Sequence, residues 1–468
     1  MPHEPRGSRP PLQPVARTSR SAHSTEFLSR RRLALLVLAF LALAPALSAQ
    51  APAGSTPGPA VGESRDTGAY TLAPEKYRQA VSYSRAKYRL HFIGFAWGCV
   101  ALLGLLALRV APRFRDLAER ASSLRFVQAL VFVPLLLMTL QLLGLPLDAY
   151  RHHLARFYDQ SVQSFGSWLW DWTKELLVTL AIAIPVVAAL YAILRKNPRR
   201  WWLTFWLGSL PVIVFLVFIS PLVIDPLFFR FEPLAARAPD LVTGIEQVTK
   251  SGGLEIPSER MFLMKASDKL KSVNAYVTGF GASKRIVVWD TALARMTTPQ
   301  TLFVFGHEMG HYVLGHIFKT ILFLWALLLV LLFATHLLTR RIFRESRRPF
   351  GIRDLSDWAS LPLLLLVLAV ASELALPIAN AYSRGNEHAA DVYGIEVIHD
   401  VVPDANRAAA EAFQVLGEIN LADPSPSRLI RFWLYSHPPL AERLAFARTY
   451  DPWSRGEPPR YVRDRTVR

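Results

Sequence analysis

His307, Glu308 and His311 stand together in FGHEMGHYVLGH (Phe305–His316), directly before one of the most apolar runs of the chain. On a helix, a spacing of four places both imidazoles on one face about one turn apart, so both can reach one tetrahedral Zn²⁺. His-Glu-x-x-His on a helix is a zinc-binding signature in which the glutamate is the general base. Zinc supplies the electrophile and lowers the pKa of water, and Glu308, next to the first ligand, takes the proton. Five-residue patterns with three fixed positions also arise by chance. This one has helical context, a glycine at 310 that permits close approach, and a place at the mouth of an apolar run, where ionisable groups are functional by default.

A catalytic zinc takes three protein ligands and keeps a fourth position for water. His316 fits the known extension of the motif poorly: that pattern wants a glycine three and a histidine six residues after the second ligand, whereas Gly315 and His316 come four and five after His311. An unbroken helix also turns His316 away from the His307/His311 face, so it reads as an interfacial polar residue. Glu387, in SRGNEHAAD (Ser383–Asp391), is the favoured third ligand. It follows the apolar run 358–379, and two adjacent spans joined by a short loop return the chain to the side of HEMGH. Asp391, one turn on, can hydrogen-bond the far nitrogen of a ligand histidine and fix its tautomer. Glu373, inside the run, and His388 are rivals; Glu373 reads better as a buried polar residue.

These residues need elements to hold them. Half of the 468 residues (52%) are hydrophobic, 19% are charged, and the net charge is +17; that balance indicates a polytopic membrane protein. Arginines cluster in short loops between apolar runs, and no aromatic-basic face of the kind single-stranded nucleic acid needs is present. Cys99 is the one cysteine, which excludes an internal disulfide and a cysteine-based metal site; it reads as a small buried apolar residue. Six long apolar runs lie near 90–108, 126–146, 176–194, 201–224, 317–338 and 358–379. The expected fold is mainly α: a polytopic α-helical membrane protein of about six spans with a zincin-like domain carrying a small β-sheet.

The expected organisation is a basic tail and signal-like segment (1–51), a linker (52–88), four spans (89–224), a zinc domain ending in the HEMGH helix (225–316), two further spans (317–379), the C-terminal part of the zinc domain (380–450) and a basic tail (451–468). Arg30-Arg31-Arg32, the apolar Leu33–Leu47 and Ala49-Gln50-Ala51 have the three parts of a secretory signal. Within 225–316, a helix-like stretch near 234–251 precedes strand-like runs at Met261–Lys265, Val273–Thr278 and Arg285–Asp290. Thr298-Pro299 starts a helix, which shows no break before the 317–338 span. The basic loops 109–125, 195–200 and 339–357 alternate onto one side, cytoplasmic by the positive-inside rule. That puts 225–316 and 380–468 outside, and the signal agrees.

HEMGH, SRGNEHAAD, VNAYVTGF (Val273–Phe280) and SHPPL (Ser436–Leu440), in this order, resemble the M48 metallopeptidases, closest to the Ste24-like CAAX prenyl endopeptidases, over roughly residues 75–450. The resemblance implies one zinc held by His307, His311 and Glu387, with Glu308 as acid/base and Asp391 as the carboxylate behind the ligands. It implies that Asn274 and His437 line the cleft and stabilise the oxyanion or substrate backbone, and it includes Arg384. The signal-like segment departs from the eukaryotic members, whose zinc faces the cytosol or a chamber within the membrane. The expected activity is that of an integral-membrane zinc endopeptidase acting on peptide or protein substrates at a lipid bilayer, in a bacterial-type inner or cell membrane, with no nucleic-acid partner. The rivals are an HtpX-like quality-control protease and a non-catalytic transporter with structural histidines.

Overall fold

The computed structural model describes residues 70–278, 284–345 and 349–462. The signal-like segment lies outside these residues. Helix α1 (Pro74–Ala107) opens with Pro74, whose fixed φ suits a first turn. Residues 74–88, expected as linker, are therefore helical. An amphipathic α2 (Val110–Ala121) leads to α3 (Arg125–Phe157) and α4 (Phe165–Lys196). Helix α5 (Trp201–Ile219) runs on through a π-turn (Ser220–Ile224) and a last helical turn (Asp225–Phe228). Pro134, Pro146, Pro185 and Pro211 lie inside these helices, where lipid-embedded packing tolerates them.

With α9 (His316–Glu345) and the 38-residue α10 (Leu361–Ile398) described below, six helices among the described residues are long and apolar enough to cross a membrane, as expected. Leu207, Val212 and Phe215 of α5 and Leu322, Val330 and Phe333 of α9 are exposed, as side chains facing lipid should be. The bundle's own core is built around Phe132, Tyr191, Trp201 and Trp358. On the side of the arginine-rich loops, Arg115 and Asp357 form a buried ion pair at 2.6 Å, while Asp357 also accepts from the Ala359 amide.

Beyond the bundle lies a mixed sheet: β1 (Phe231–Pro233), β2 (Met261–Met264), β3 (Ala275–Thr278) and β4 (Arg285–Trp289), in the order β1-β2-β4-β3. β2 and β4 are parallel, and the outer strands antiparallel to them. β3 is an edge strand. Helix α6 (Pro239–Ser251) precedes β2, and a short α7 (Asp290–Arg295) follows β4. The HEMGH motif rides on α8 (Thr298–Val313). After α10 come α11 (Ala405–Ile419), α12 (Arg428–Leu434) and α13 (Leu440–Thr449). Phe303, Phe305 and Met309 of α8 pack with Tyr393, Phe413 and Leu444 in a second core. The expected three strands and the helix near 234–251 are present; β1 is an addition.

Two elements differ from expectation, and both bear on the site. The chain does not run unbroken from 298 to 338: α8 ends at Val313, and Gly315 takes φ +69 before α9 begins. The Leu314 amide bonds to the Gly310 carbonyl and the Gly315 amide to Tyr312, a helix stop that calls for glycine. Conversely, 358–379 and 380–398 are one helix, α10, which passes Pro377 without ending.

Candidate active site

Helices α8 and α10 cross at almost no distance. A Cβ on Gly306 would lie 2.8 Å from Val397 Cγ1, and one on Gly394 3.0 Å from the His307 backbone nitrogen. Glycine at both positions lets the helices touch backbone to side chain. The contact brings His307 and His311 of α8 against Glu387 of α10, across 76 to 80 residues of intervening chain.

The three side chains form a cluster with ligand atoms within 4.8 Å of one another. His307 Nε2 lies 3.2 Å from His311 Nε2. Glu387 Oε2 is 3.4 Å from His307 Nε2, and Oε1 is 3.4 Å from His311 Nε2. Donors at about 2.0–2.1 Å around a tetrahedral zinc are about 3.3 Å apart, so these separations fit the ion. Glu387 Oε2 is also a buried oxygen that accepts no hydrogen bond. It is close to His307 Nε2 and, at 3.2 Å, to His437 Nε2, but neither contact has hydrogen-bond alignment. Such a carboxylate oxygen is costly unless a cation meets it. Two imidazoles and one carboxylate are a catalytic zinc set.

Asp391 Oδ1 accepts from His307 Nδ1 at 2.8 Å. That contact holds the proton on Nδ1 and leaves the Nε2 lone pair for metal. Asp391 is in turn gripped by Arg443, whose Nε and Nη2 donate to its two oxygens at 2.8 and 2.6 Å. The guanidinium stacks over the Phe413 ring, 4.5 Å from its centre. Arg443 was not singled out from the sequence. Its signal was its place on the apolar stripe Leu440, Leu444 and Ala447 of α13, where an arginine must find a buried partner.

Burial would lower the His307 imidazole, but the neighbouring Asp391 and Glu387 carboxylates raise it to about 9. Burial and the neighbouring His307 take His311 down to about 3. The pair thus offers one favourable place for a single positive charge. Burial also pushes the Glu308 carboxyl up to about 7, against the pull of His307, a value suited to a group that takes and returns a proton near neutrality.

The other candidates divide. His437 reaches the cluster through Glu387, and its Nδ1 is 2.9 Å from Ser436 Oγ. Asn274 is exposed at the start of edge strand β3, where its Oδ1 accepts from the Ala275 amide; it does not join the cluster. Glu373 is bound elsewhere, accepting from Trp433 Nε1 at 2.9 Å and lying 2.9 Å from His91 Nε2. His388 packs edge-on against Phe446. Neither rival ligand is in the cluster. Arg384 donates to the Tyr435 carbonyl at 2.6 Å, fixing the segment that carries His437. His316 is a correction. The helix stop at Gly315 brings it back to His311, with its Nδ1 3.0 Å from His311 Nδ1. A cavity of about 780 Å³ opens from His311, His316 and Glu387 and runs between α5, α9 and α10, lined by Ile321, Leu324, Leu328 and Leu376.

Known proteins of one family resemble this chain in sequence and fold. The sequence model of peptidase family M48 matches residues 235–451, and that of the CAAX prenyl protease N-terminal region, five membrane helices, matches 67–230. The chain is 34% identical over 376 residues to the uncharacterized metalloprotease YhfN of Bacillus subtilis, covering 80% of this chain and 86% of that one. It is 27% identical over 384 residues to the human CAAX prenyl protease 1 homolog, covering 73% and 78%. Its fold matches the crystal structure of S. mikatae Ste24p with a TM-score of 0.74 at 22% identity, over 91% of this chain and 99% of that one. The chain belongs to peptidase family M48 and is a Ste24-like, zinc-dependent metalloendopeptidase integral to a membrane.

Proposed function

We propose that peptide-bond hydrolysis occurs where α8, α10 and the edge of β3 meet, with His307, His311 and Glu387 holding the metal. Zinc, when bound there, supplies a Lewis acid for the scissile carbonyl and for water. The chain's own residues do the rest. Glu308 accepts a proton from the attacking water and returns it to the amide nitrogen as the carbon–nitrogen bond breaks. His437 donates a hydrogen bond to the oxygen that becomes negative, and Asn274 offers its amide to the substrate backbone. The substrate lies extended along β3, whose outer edge is open to another strand among the described residues. Asp391 and Arg443 keep His307 in the tautomer and orientation that leave Nε2 free.

The observation that carries this reading is the trio His307, His311 and Glu387 at ligand spacing, with the half-buried Glu308 next to His307 on the same helix. Glu387→Ala tests it: the purified full chain should lose its zinc and its peptidase activity together. Retention of both would remove Glu387 from the metal site.

The apolar cavity beside the ligands suits a substrate with a greasy portion in the bilayer and its scissile bond at the zinc. Several relatives bear the name CAAX prenyl protease. The same peptide with and without a prenyl group distinguishes a lipid requirement from simple hydrophobic preference. We infer a zinc domain on the side opposite the arginine-rich loops, extracytoplasmic in a bacterial-type cell membrane, from the loop charges alone. Protease digestion of sealed vesicles between residues 235 and 278 tests it; protection of that segment from outside would reverse the orientation.

A further inference from the structure

His316 is five residues beyond His311. On a continuous helix that spacing would rotate it about 140° from the metal-facing side. The chain instead stops α8 and restarts as α9 with His316 as its first residue. Gly315 makes the reversal with φ +69. The result is a histidine only 6% exposed, with Nδ1 3.0 Å from His311 Nδ1.

A nitrogen pair at that distance is a hydrogen bond with one donor and one acceptor. His311 Nε2 faces His307 Nε2 at 3.2 Å and Glu387 Oε1 at 3.4 Å. A cation among those atoms takes the Nε2 lone pair and leaves the ring proton on Nδ1. Among the described residues, the nitrogen that faces this proton is His316 Nδ1. We propose that His316 is the positioning residue for the ligand His311, accepting from its Nδ1 as Asp391 accepts from His307. Its contact is with the nitrogen remote from the metal, so it serves as the support of a ligand and adds none of its own. The two supports differ in kind. His307 leans on a carboxylate held by Arg443, which adds negative charge; His311 leans on an imidazole, which fixes ring and tautomer while adding no charge. Gly315 belongs to the same device, because it turns a residue on the wrong side of the helix into one on the right side.

The inference rests on His307, His311 and Glu387 being the ligands, and the test separates the two. Zinc affinity is measured for the full chain in detergent by competition with a chelator, for wild type, His316→Phe, His316→Asn and Glu387→Ala. Phenylalanine keeps the ring and removes the acceptor; asparagine places an oxygen where Nδ1 was. His316→Phe is expected to weaken zinc binding ~10–100-fold, the usual effect of losing a partner behind a ligand. His316→Asn should recover most of it, with melting temperatures of the two zinc-free variants matching. A Phe variant that binds like wild type, or an Asn variant as weak as Phe, overturns the role of His316 while Glu387→Ala still loses zinc. If Glu387→Ala also binds like wild type, the ligand assignment itself fails, and the inference with it.

Discussion

At the scale of residues, the site is a chain of hydrogen bonds that ends on the cluster of His307, His311 and Glu387. Arg443 fixes Asp391, Asp391 fixes His307, and Glu387 brings an oxygen that has no hydrogen-bond donor. Asp391→Ala removes the proton acceptor from His307 and leaves Arg443 buried without its partner. Zinc affinity should fall ~10–100-fold, measured by chelator competition, and stability should fall by about 3–5 kcal/mol. An unchanged zinc affinity would mean that His307 needs no support. Most of this scale was legible in the sequence. HEMGH is a local pattern whose geometry the α-helix alone sets, and Glu387 followed from the return of the chain through two spans. Arg443 was not legible, because its partner is 52 residues away and only tertiary packing turns the α13 stripe towards α10. Glu373 shows the converse: an intramembrane carboxylate that read better as a buried polar residue than as a ligand is held by His91 and Trp433.

At the scale of elements, two helix contacts decide the geometry. Hydropathy marks where the bilayer ends, and the helical hydrogen-bond ladder ignores that limit. Residues 358–379 and 380–398 therefore read as two units and fold as one, and α10 delivers Glu387 and Asp391 rigidly from a membrane anchor. The stop between α8 and α9 was missed for the opposite reason. One left-handed glycine, Gly315, ends a helix that periodicity would continue, and φ is not written in an apolar pattern. The meeting of α8 with α10 depends on Gly394. In Gly394→Ala, the new Cβ would stand 3.0 and 3.2 Å from the backbone nitrogen and Cα of His307. The helices must part to admit it. We expect a loss of about 1–3 kcal/mol, seen as a lower melting temperature, and weaker zinc binding. Wild-type values for both would show that the helices are not in close contact. Gly315→Ala meets no neighbour within 4 Å, so its cost is the backbone alone, about 1–2 kcal/mol, again read from melting.

At the scale of the whole molecule, the membrane bundle and the zinc domain form one machine. α9 begins beside His311 and α10 carries Glu387 within its length, both helices belong to the membrane-spanning set, and the apolar cavity between α5, α9 and α10 opens onto His311, His316 and Glu387. Removing the metal with 1,10-phenanthroline should abolish cleavage, and added zinc should restore it. Because α1–α5 make no part of the metal cluster, far-ultraviolet circular dichroism should show the helices intact in the zinc-free protein. Loss of the helical signal on chelation would instead make the metal structural. A six-span fold was readable from composition and run length. The sheet order β1-β2-β4-β3 was not, since strands of three to five residues carry too little pattern to fix their neighbours.

The central claim is that Glu308 moves the proton while His307, His311 and Glu387 hold the metal. Its most direct test is cleavage of a peptide substrate by Glu308→Gln, with zinc counted in the same preparation. Glutamine keeps the shape of the side chain and cannot take a proton, so the account predicts one zinc per chain and cleavage reduced at least ~100-fold. A Glu308→Gln protein that cleaves at the wild-type rate would contradict it.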